Sequence, residues 1–251
     1  MDQAIARHCA ELDRCNQRGG RMLSIFDLLK TDTLDLDLAA YLMARISRGA
    51  SVMIGANPGG AGKTTVMCAL LNLLPANTTL AAATDEAMVR VSQSPAPECM
   101  CLICHEIGPG PYFAYLWGDA LRRYCALSDT GCLLATNLHA DTFEEARSQV
   151  CVENGVPEAH FNAFNILVFL RLSGGWAATR RYVETVYESD GRSAHQLTYQ
   201  HGHGLQAADT LQDDAHYRAC RGFLKQHADG ATRTIEQTRR LVVNFLAETN
   251  D

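Results

Sequence analysis

The chain has 251 residues and a formal net charge of −6 at pH 7, with 47% hydrophobic and 20% charged residues. That balance excludes a disordered chain and supplies no general pull toward nucleic acid. No apolar run approaches the ~20 residues of a membrane span, so membrane insertion is not expected.

At roughly 150 residues per domain, the length suits one large domain with a small appendage. Met1-Asp2-Gln3 does not open a basic-then-apolar leader, so a cytoplasmic chain is expected. In that setting the ten cysteines read as reduced thiols packed like small hydrophobes.

In chain order, residues from about Gln3 to Cys15 predict a short helix, ending at a flexible joint over Gln17-Arg18-Gly19-Gly20. Leu34 to Arg48 predicts a helix with Leu38, Tyr41, Leu42 and Ile46 on one face and Gly49 as its stop. Ser51 to Gly55 reads as a buried strand, followed by a Gly/Pro-rich turn and a helix over Lys63 to Leu74. Apolar runs at Thr78–Ala83, Met100–Cys104 and Leu133–Thr136 read as further strands. Between or after them, Tyr112–Leu127 and Phe143–Asn154 read as helices, the second with a capping box from Asp141 to Glu144.

Strands alternating with helices predict a parallel sheet covered on both faces. Beyond Pro157, Ile166–Leu172, a Ser173-Gly174-Gly175 turn and Thr179–Tyr187 predict an antiparallel hairpin. Asp213 to Glu248 reads as two amphipathic helices broken near Gly230. The expected division is an N-terminal helix and linker over 1–21, an α/β core over 22–205 and a helical appendage over 206–251.

The strongest chemical signal is Gly55-Ala56-Asn57-Pro58-Gly59-Gly60-Ala61-Gly62-Lys63-Thr64-Thr65, between a predicted strand and a predicted helix. In that context it matches a phosphate-binding loop, whose backbone N–H groups cradle phosphate oxygens at a helix N-terminus. Asn57 through Thr65 are the nucleotide-binding candidates. Lys63 is placed to reach the β/γ-phosphates and the Thr64 hydroxyl to bind Mg²⁺. Asn57 stands where the pattern has its first glycine, and Asn tolerates the left-handed backbone a turn there requires.

Met100-Cys101-Leu102-Ile103-Cys104-His105-Glu106 reads as an apolar strand ending in an acid. Glu106 can hold the Mg²⁺ shell or orient water, as a Walker B acid does. Cys101-Leu102-Ile103-Cys104-His105 also matches the c-type haem attachment pattern, and Cys99, Cys101, Cys104 and His105 offer a zinc-like set. Strand alternation sends neighbouring side chains to opposite faces, so neither is expected. Arg122-Arg123, Arg180-Arg181 and Arg239-Arg240 are separated pairs without interleaved aromatics, so no nucleic-acid partner is expected.

At Leu133-Leu134-Ala135-Thr136-Asn137-Leu138-His139-Ala140-Asp141 the chain resembles the His box of the type II/type IV secretion and pilus motor ATPases. The run Thr33 to Leu42 leading to Ser51-Val52-Met53-Ile54 resembles their archaeal-type branch. So does Phe169-Leu170-Arg171-Leu172 followed by Tyr182-Val183-Glu184-Thr185-Val186. The resemblance spans about residues 22–248.

It implies a RecA-like P-loop NTPase core with a mainly parallel sheet, a β-hairpin and a small C-terminal helical tail. ATP and Mg²⁺ are the implied ligands and a homo-oligomeric hexameric ring the implied assembly. The implied partner is a membrane platform protein or other secretion/pilus machinery at the inner face of the cell membrane. Carried over by position, Lys63 and Thr64 bind phosphate and Mg²⁺, Glu106 is the Walker B acid and Mg²⁺ ligand, and His139 senses the γ-phosphate region.

The sequence departs from the family pattern at the acidic box. There Thr84 falls where a catalytic Glu is usual, leaving Asp85 or Glu86 to substitute; Asp85 is the assigned candidate. Gly108 replaces an expected Arg. Only about 20 residues precede the motor-like region, where the family carries a substantial domain that supplies arginines. Two readings follow: a compact motor ATPase, or a nucleotide-binding regulatory or structural partner with little hydrolysis.

Overall fold

The computed structural model describes residues 2–16, 19–57, 59–93, 99–174, 179–206, 208–230 and 233–249. Pro58, Gln17-Arg18 of the expected joint and Gly175 of the expected hairpin turn lie outside the described residues.

Three helices precede the first strand. α1 (Asp2–Arg14) buries Ile5, His8, Cys9 and Leu12, three or four residues apart and therefore on one face. α2 (Ile25–Lys30) was not predicted. It is held at its start by Asp27, whose carboxylate accepts from the Ser24 backbone N–H at 2.8 Å. α3 (Leu36–Ile46) begins at Asp35, which accepts from the Leu38 N–H at 2.8 Å.

β1 (Val52–Gly55) then leads to α4 (Lys63–Leu71), β2 (Thr79–Ala82), α5 (Asp85–Ser92) and β3 (Met100–Ile107). The expected helix over Tyr112–Leu127 is shorter. Tyr115–Leu116 form β4, pairing in parallel with the end of β3, and α6 begins only at Asp119 and ends at Ala126. β5 (Leu133–Leu138) is followed by α7 (Phe143–Arg147), which passes into a π-helical turn over Ser148–Glu153.

The cap of α7 sits one residue later than expected. Thr142 accepts from the Glu145 N–H, and the Glu145 carboxylate accepts from the Asp141 N–H at 2.7 Å. Asp141 is thereby left to bind elsewhere. After α8 (Glu158–Asn162) come the paired strands β6 (Ile166–Ser173) and β7 (Arg180–Glu188), then β8 (Gln196–Gln200) and β9 (Gly204–Leu205). The C-terminal helices are α9 (Ala208–Asp213), α10 (Ala215–Ala228) and α11 (Ile235–Thr249). α10 and α11, separated around Gly230, are the two helices expected over Asp213 to Glu248, and α9 is an additional short helix just before them.

The sheet runs β2-β3-β5-β1-β6-β7-β8-β9, with β4 beside β3. Its β2-to-β6 half is parallel and its β6-to-β9 half antiparallel. Alternation along the strands sorts side chains into two cores. Val52 and Ile54 pack with α1, α3, α4 and the C-terminal helices, whereas Met53 packs with Leu102, Leu134 and Leu167. Tyr217, Leu224 and Val242 of the C-terminal helices share the core of Leu38 and Leu42. Among the described residues no helix is long and apolar enough to cross a membrane.

Candidate functional site

Parallel strands direct their C-terminal ends to one edge of the sheet, the usual place for a ligand crevice in such folds. β1 delivers the glycine-rich loop and Lys63 there, β3 delivers Glu106, and the end of β5 delivers His139. Because β7 runs antiparallel to β6, with Arg180 opposite Ser173, its first residues return Arg180 and Arg181 to the same edge.

The loop can make its turn because Gly60 and Gly62 both take φ of 96°, a left-handed backbone that side chains resist. The left-handed turn expected at Asn57 thus falls on these two glycines. At Gly55 the constraint is close approach, since a Cβ there would sit 2.6 Å from the Ala140 carbonyl and from the Phe169 ring. Asn57 directs its N–H to the Asp141 carboxylate at 2.6 Å, tying the loop to the segment after β5.

The loop, α4 and the strand ends enclose a cavity of about 610 Å³. Gly59, Gly60, Ala61, Gly62, Lys63, Thr64, Thr65, Glu106 and His139 all line it. Lys63, buried at the first turn of α4, has its ammonium 3.6 Å from Glu106 Oε1. It also lies 3.3 Å from the Ala56 carbonyl and 3.4 Å from His139 Nδ1. His139 Nε2 lies 3.7 Å from Glu106 Oε1.

Burial lifts the Glu106 carboxyl above its ordinary range, against the opposing pull of Lys63. Burial and the Lys63 charge together push the His139 imidazole below its ordinary value, which favours the neutral ring. Lys63 is therefore a cation ringed by acceptors, set where the positive end of α4 also points.

Glu106 reaches the edge through an irregularity in β3. The pairing of β3 with β5 runs Cys104 with Thr136 and then Ile107 with Leu138, three residues against two. The extra residue is a bulge. Before it, Leu102 and Cys104 share one core while Cys101 and Ile103 occupy the other; after it, Ile107 joins Leu102 and Cys104. Cys101 and Cys104 therefore face opposite sides, and the strand runs one residue past the acid, to Ile107.

Asn137 secures this arrangement. Fully buried, it donates from Nδ2 to the His105 carbonyl at 2.9 Å and to Thr64 Oγ1 at 3.4 Å. Glu106 Oε1 is buried and, among the described residues, accepts no hydrogen bond. A buried carboxylate oxygen and the Thr64 hydroxyl, lining one cavity, match the hard, oxygen-donor chemistry of Mg²⁺.

Asp85 does not join the cluster. It opens α5 with its side chain 77% exposed and pairs with Arg123 at 3.1 Å. Thr84 is the N-cap of the same helix, accepting from the Ala87 N–H at 3.2 Å. Conversely, Cys15, Arg21, His105, Tyr115 and Arg181 line the cavity, although the sequence did not place them there. Arg181 donates from Nε to the Gly60 carbonyl at 3.4 Å. A pair of arginines after a predicted hairpin turn was visible in the sequence; its arrival at the glycine loop was not. Among the described lining residues, Glu106 is the sole carboxylate.

No family model matches the chain, and no curated protein matches it. The solved structures it is similar to include two ATPases. One is the VirB11 ATPase of the Brucella suis type IV secretion system in complex with sulphate, at 16% identity and a TM-score of 0.43, covering 65% of this chain and 54% of that one. The other is the Legionella pneumophila ATPase DotB, at 9% identity and a TM-score of 0.45, covering 92% and 63%. The chain thus spans less than two thirds of the length of either.

Proposed function

We propose that the chain is a P-loop NTPase that binds ATP with Mg²⁺ and hydrolyses it as a secretion or pilus-type motor. The observation that carries this reading is the meeting of Lys63, Glu106 and His139 around a glycine-rich loop at the start of α4.

The loop N–H groups and the N-terminus of α4 would take the phosphate oxygens. Lys63 would exchange its contact with Glu106 for the β/γ-phosphates, a favourable trade because the phosphates carry more charge. Glu106 and Thr64 would hold Mg²⁺, which when bound neutralises charge developing on the phosphate oxygens. Asn137 keeps the Thr64 hydroxyl aimed at that position. His139, held neutral, can donate one hydrogen bond toward the γ-phosphate region. Arg181, at the loop itself, offers a guanidinium from within the chain, a role that can be worth ~10³–10⁵ in rate in phosphoryl transfer.

The wider proposal follows the sequence resemblance: a RecA-like core over 22–205, a hexameric ring of the archaeal-type branch, and work on a membrane platform at the cytoplasmic face. A second reading, nucleotide binding with little turnover, is favoured by one observation. Glu106 is the only described carboxylate lining the cavity, so water activation and Mg²⁺ binding fall on the same group.

Calorimetric ATP titration together with Mg²⁺-dependent phosphate release tests both. Binding with turnover supports the motor, binding without turnover supports the second reading, and absence of binding overturns both.

A further inference from the structure

A second chemistry lies at the rim of the same cavity and does not depend on nucleotide. Cys15, one residue past the end of α1, lines the cavity and is only 4% exposed. Its thiol lies 3.5 Å from His105 Nε2 on β3 and 3.5 Å from the Glu11 carbonyl on its own helix. At the same last turn of α1 stands Cys68 of α4, fully buried. Cys68 also approaches the Leu12 carbonyl at 3.8 Å.

This sets Cys15 apart from most of the other cysteines. Burial pushes Cys9, Cys104, Cys151 and Cys220 up to about 12 and Cys132 up to about 11. The charged and titratable groups facing Cys15 are Cys68 from α4, His105 and Cys101 from β3 and Glu11 from α1. The Cys68 hydrogen bond and the His105 contact together outweigh burial and the Glu11 charge, and the Cys15 thiol falls to about 6.

We propose that Cys15 is a modification site, a nucleophilic thiol open to hydroperoxides through the cavity, with Cys68 as its resolving partner. The Cys15 thiolate attacks one peroxide oxygen, forming an S–O bond as the O–O bond breaks. With hydrogen peroxide, the leaving hydroxide takes a proton and departs as water. Cys15 is now a sulfenic acid. The Cys68 sulfur then attacks the Cys15 sulfur, the S–S bond forms, the S–O bond breaks, and the Cys68 proton leaves with the hydroxide as a second water. Two thiols are oxidised by two electrons in all and one peroxide is reduced. The product ties the end of α1 to the helix that carries the glycine-rich loop.

The test uses the whole chain without nucleotide. Alkylation by iodoacetamide is followed by peptide mass spectrometry as pH is raised from 5 to 9, comparing Cys15 with the exposed Cys99. Cys15 should react with a midpoint near 6, and at pH 6.5 at least ~10-fold faster than Cys99. His105→Gln should move the Cys15 midpoint upward.

Hydrogen peroxide should then give a Cys15–Cys68 cross-linked peptide pair. In Cys68→Ser the same treatment should stop at a sulfenic acid trapped by dimedone. A Cys15 midpoint near the ~8.5 of an unperturbed thiol, or peroxide chemistry that leaves Cys15 intact while modifying Cys99, overturns the proposal. Circular dichroism of each variant separates loss of reactivity from loss of fold.

Discussion

The two ends of α4 are built on opposite plans. At its start, Gly62, Lys63 and Thr64 face a cavity where a cation, a carboxylate and an imidazole meet at 3.4–3.7 Å without closing into short hydrogen bonds. At its far end the backbone carbonyls are covered by a donor. Arg239 of α11, only 2% exposed, donates to the carbonyls of Asn72 at 3.1 Å and Pro75 at 2.9 Å and also to that of Leu74. Asn72 in turn donates to the Ile235 carbonyl at 2.9 Å. A helix C-terminus exposes carbonyls that favour a cation, and here a buried guanidinium supplies it. One end stores unspent polar capacity for a ligand; the other uses its capacity for stability.

Four substitutions sharpen this contrast. The largest stability effect belongs to the closed end. Arg239→Met should cost about 3–5 kcal/mol, because buried carbonyls are left without donors. Chemical denaturation reads it directly, and a loss below 1 kcal/mol would show that the cap is dispensable.

Lys63→Ala should reverse the pattern. Phosphate release should fall by about 10²–10³, the scale for removing one preorganised donor, while the thermal midpoint moves less than for Arg239→Met. Equal loss of stability in both variants would erase the distinction between the ends.

His8 is the next test. It lies 6% exposed near Arg239, and burial followed by the Arg239 charge pushes its imidazole down to about 3. The folded state then binds fewer protons than the unfolded state between pH 6.5 and about 3. The contribution is fully present above 6.5 and is lost as pH falls through that window, by about 1.4 kcal/mol per pH unit. Between pH 6.5 and 5 the loss is about 2 kcal/mol. His8→Gln should flatten that part of the stability profile; an unchanged slope would refute the assignment.

The smallest effect is expected at Asp85. Its exposed pair with Arg123 predicts less than about 0.5 kcal/mol for Asp85→Asn and turnover within about twofold of the parent. A large loss of turnover would bring Asp85 back to the site by a route this arrangement does not contain.

Much of this was legible residue by residue. The helix over Leu36–Ile46 shows its buried face at three- and four-residue spacing, and the glycine-rich loop stands out because few sequences place Gly-Lys-Thr between an apolar run and a helix. β6 and β7 were readable from their long apolar and β-branched runs.

The short pieces were not. Tyr115–Leu116 and Gly204–Leu205 are two-residue strands with no periodicity to detect, and each exists only because a partner strand passes beside it. The cap of α7 was misplaced by one residue, although its start at Phe143 was read correctly, because Asp141 and Thr142 are both good caps. The choice between them fell to Asn57, which claims the Asp141 carboxylate from 84 positions away.

By itself, the sequence determined the local order of this protein: which long runs are strands, and where the glycine-rich loop lies between a strand and a helix. These follow from side-chain periodicity and backbone preference, which act over a few residues. Only the tertiary structure decided the company each residue keeps. The bulge that frees Glu106, the return of Arg181 on an antiparallel strand and the pairing of Cys15 with His105 and Cys68 all depend on strand order and helix packing. Those are set by burying two apolar sheet faces at once, a condition satisfied by the whole chain and visible in no single stretch of it.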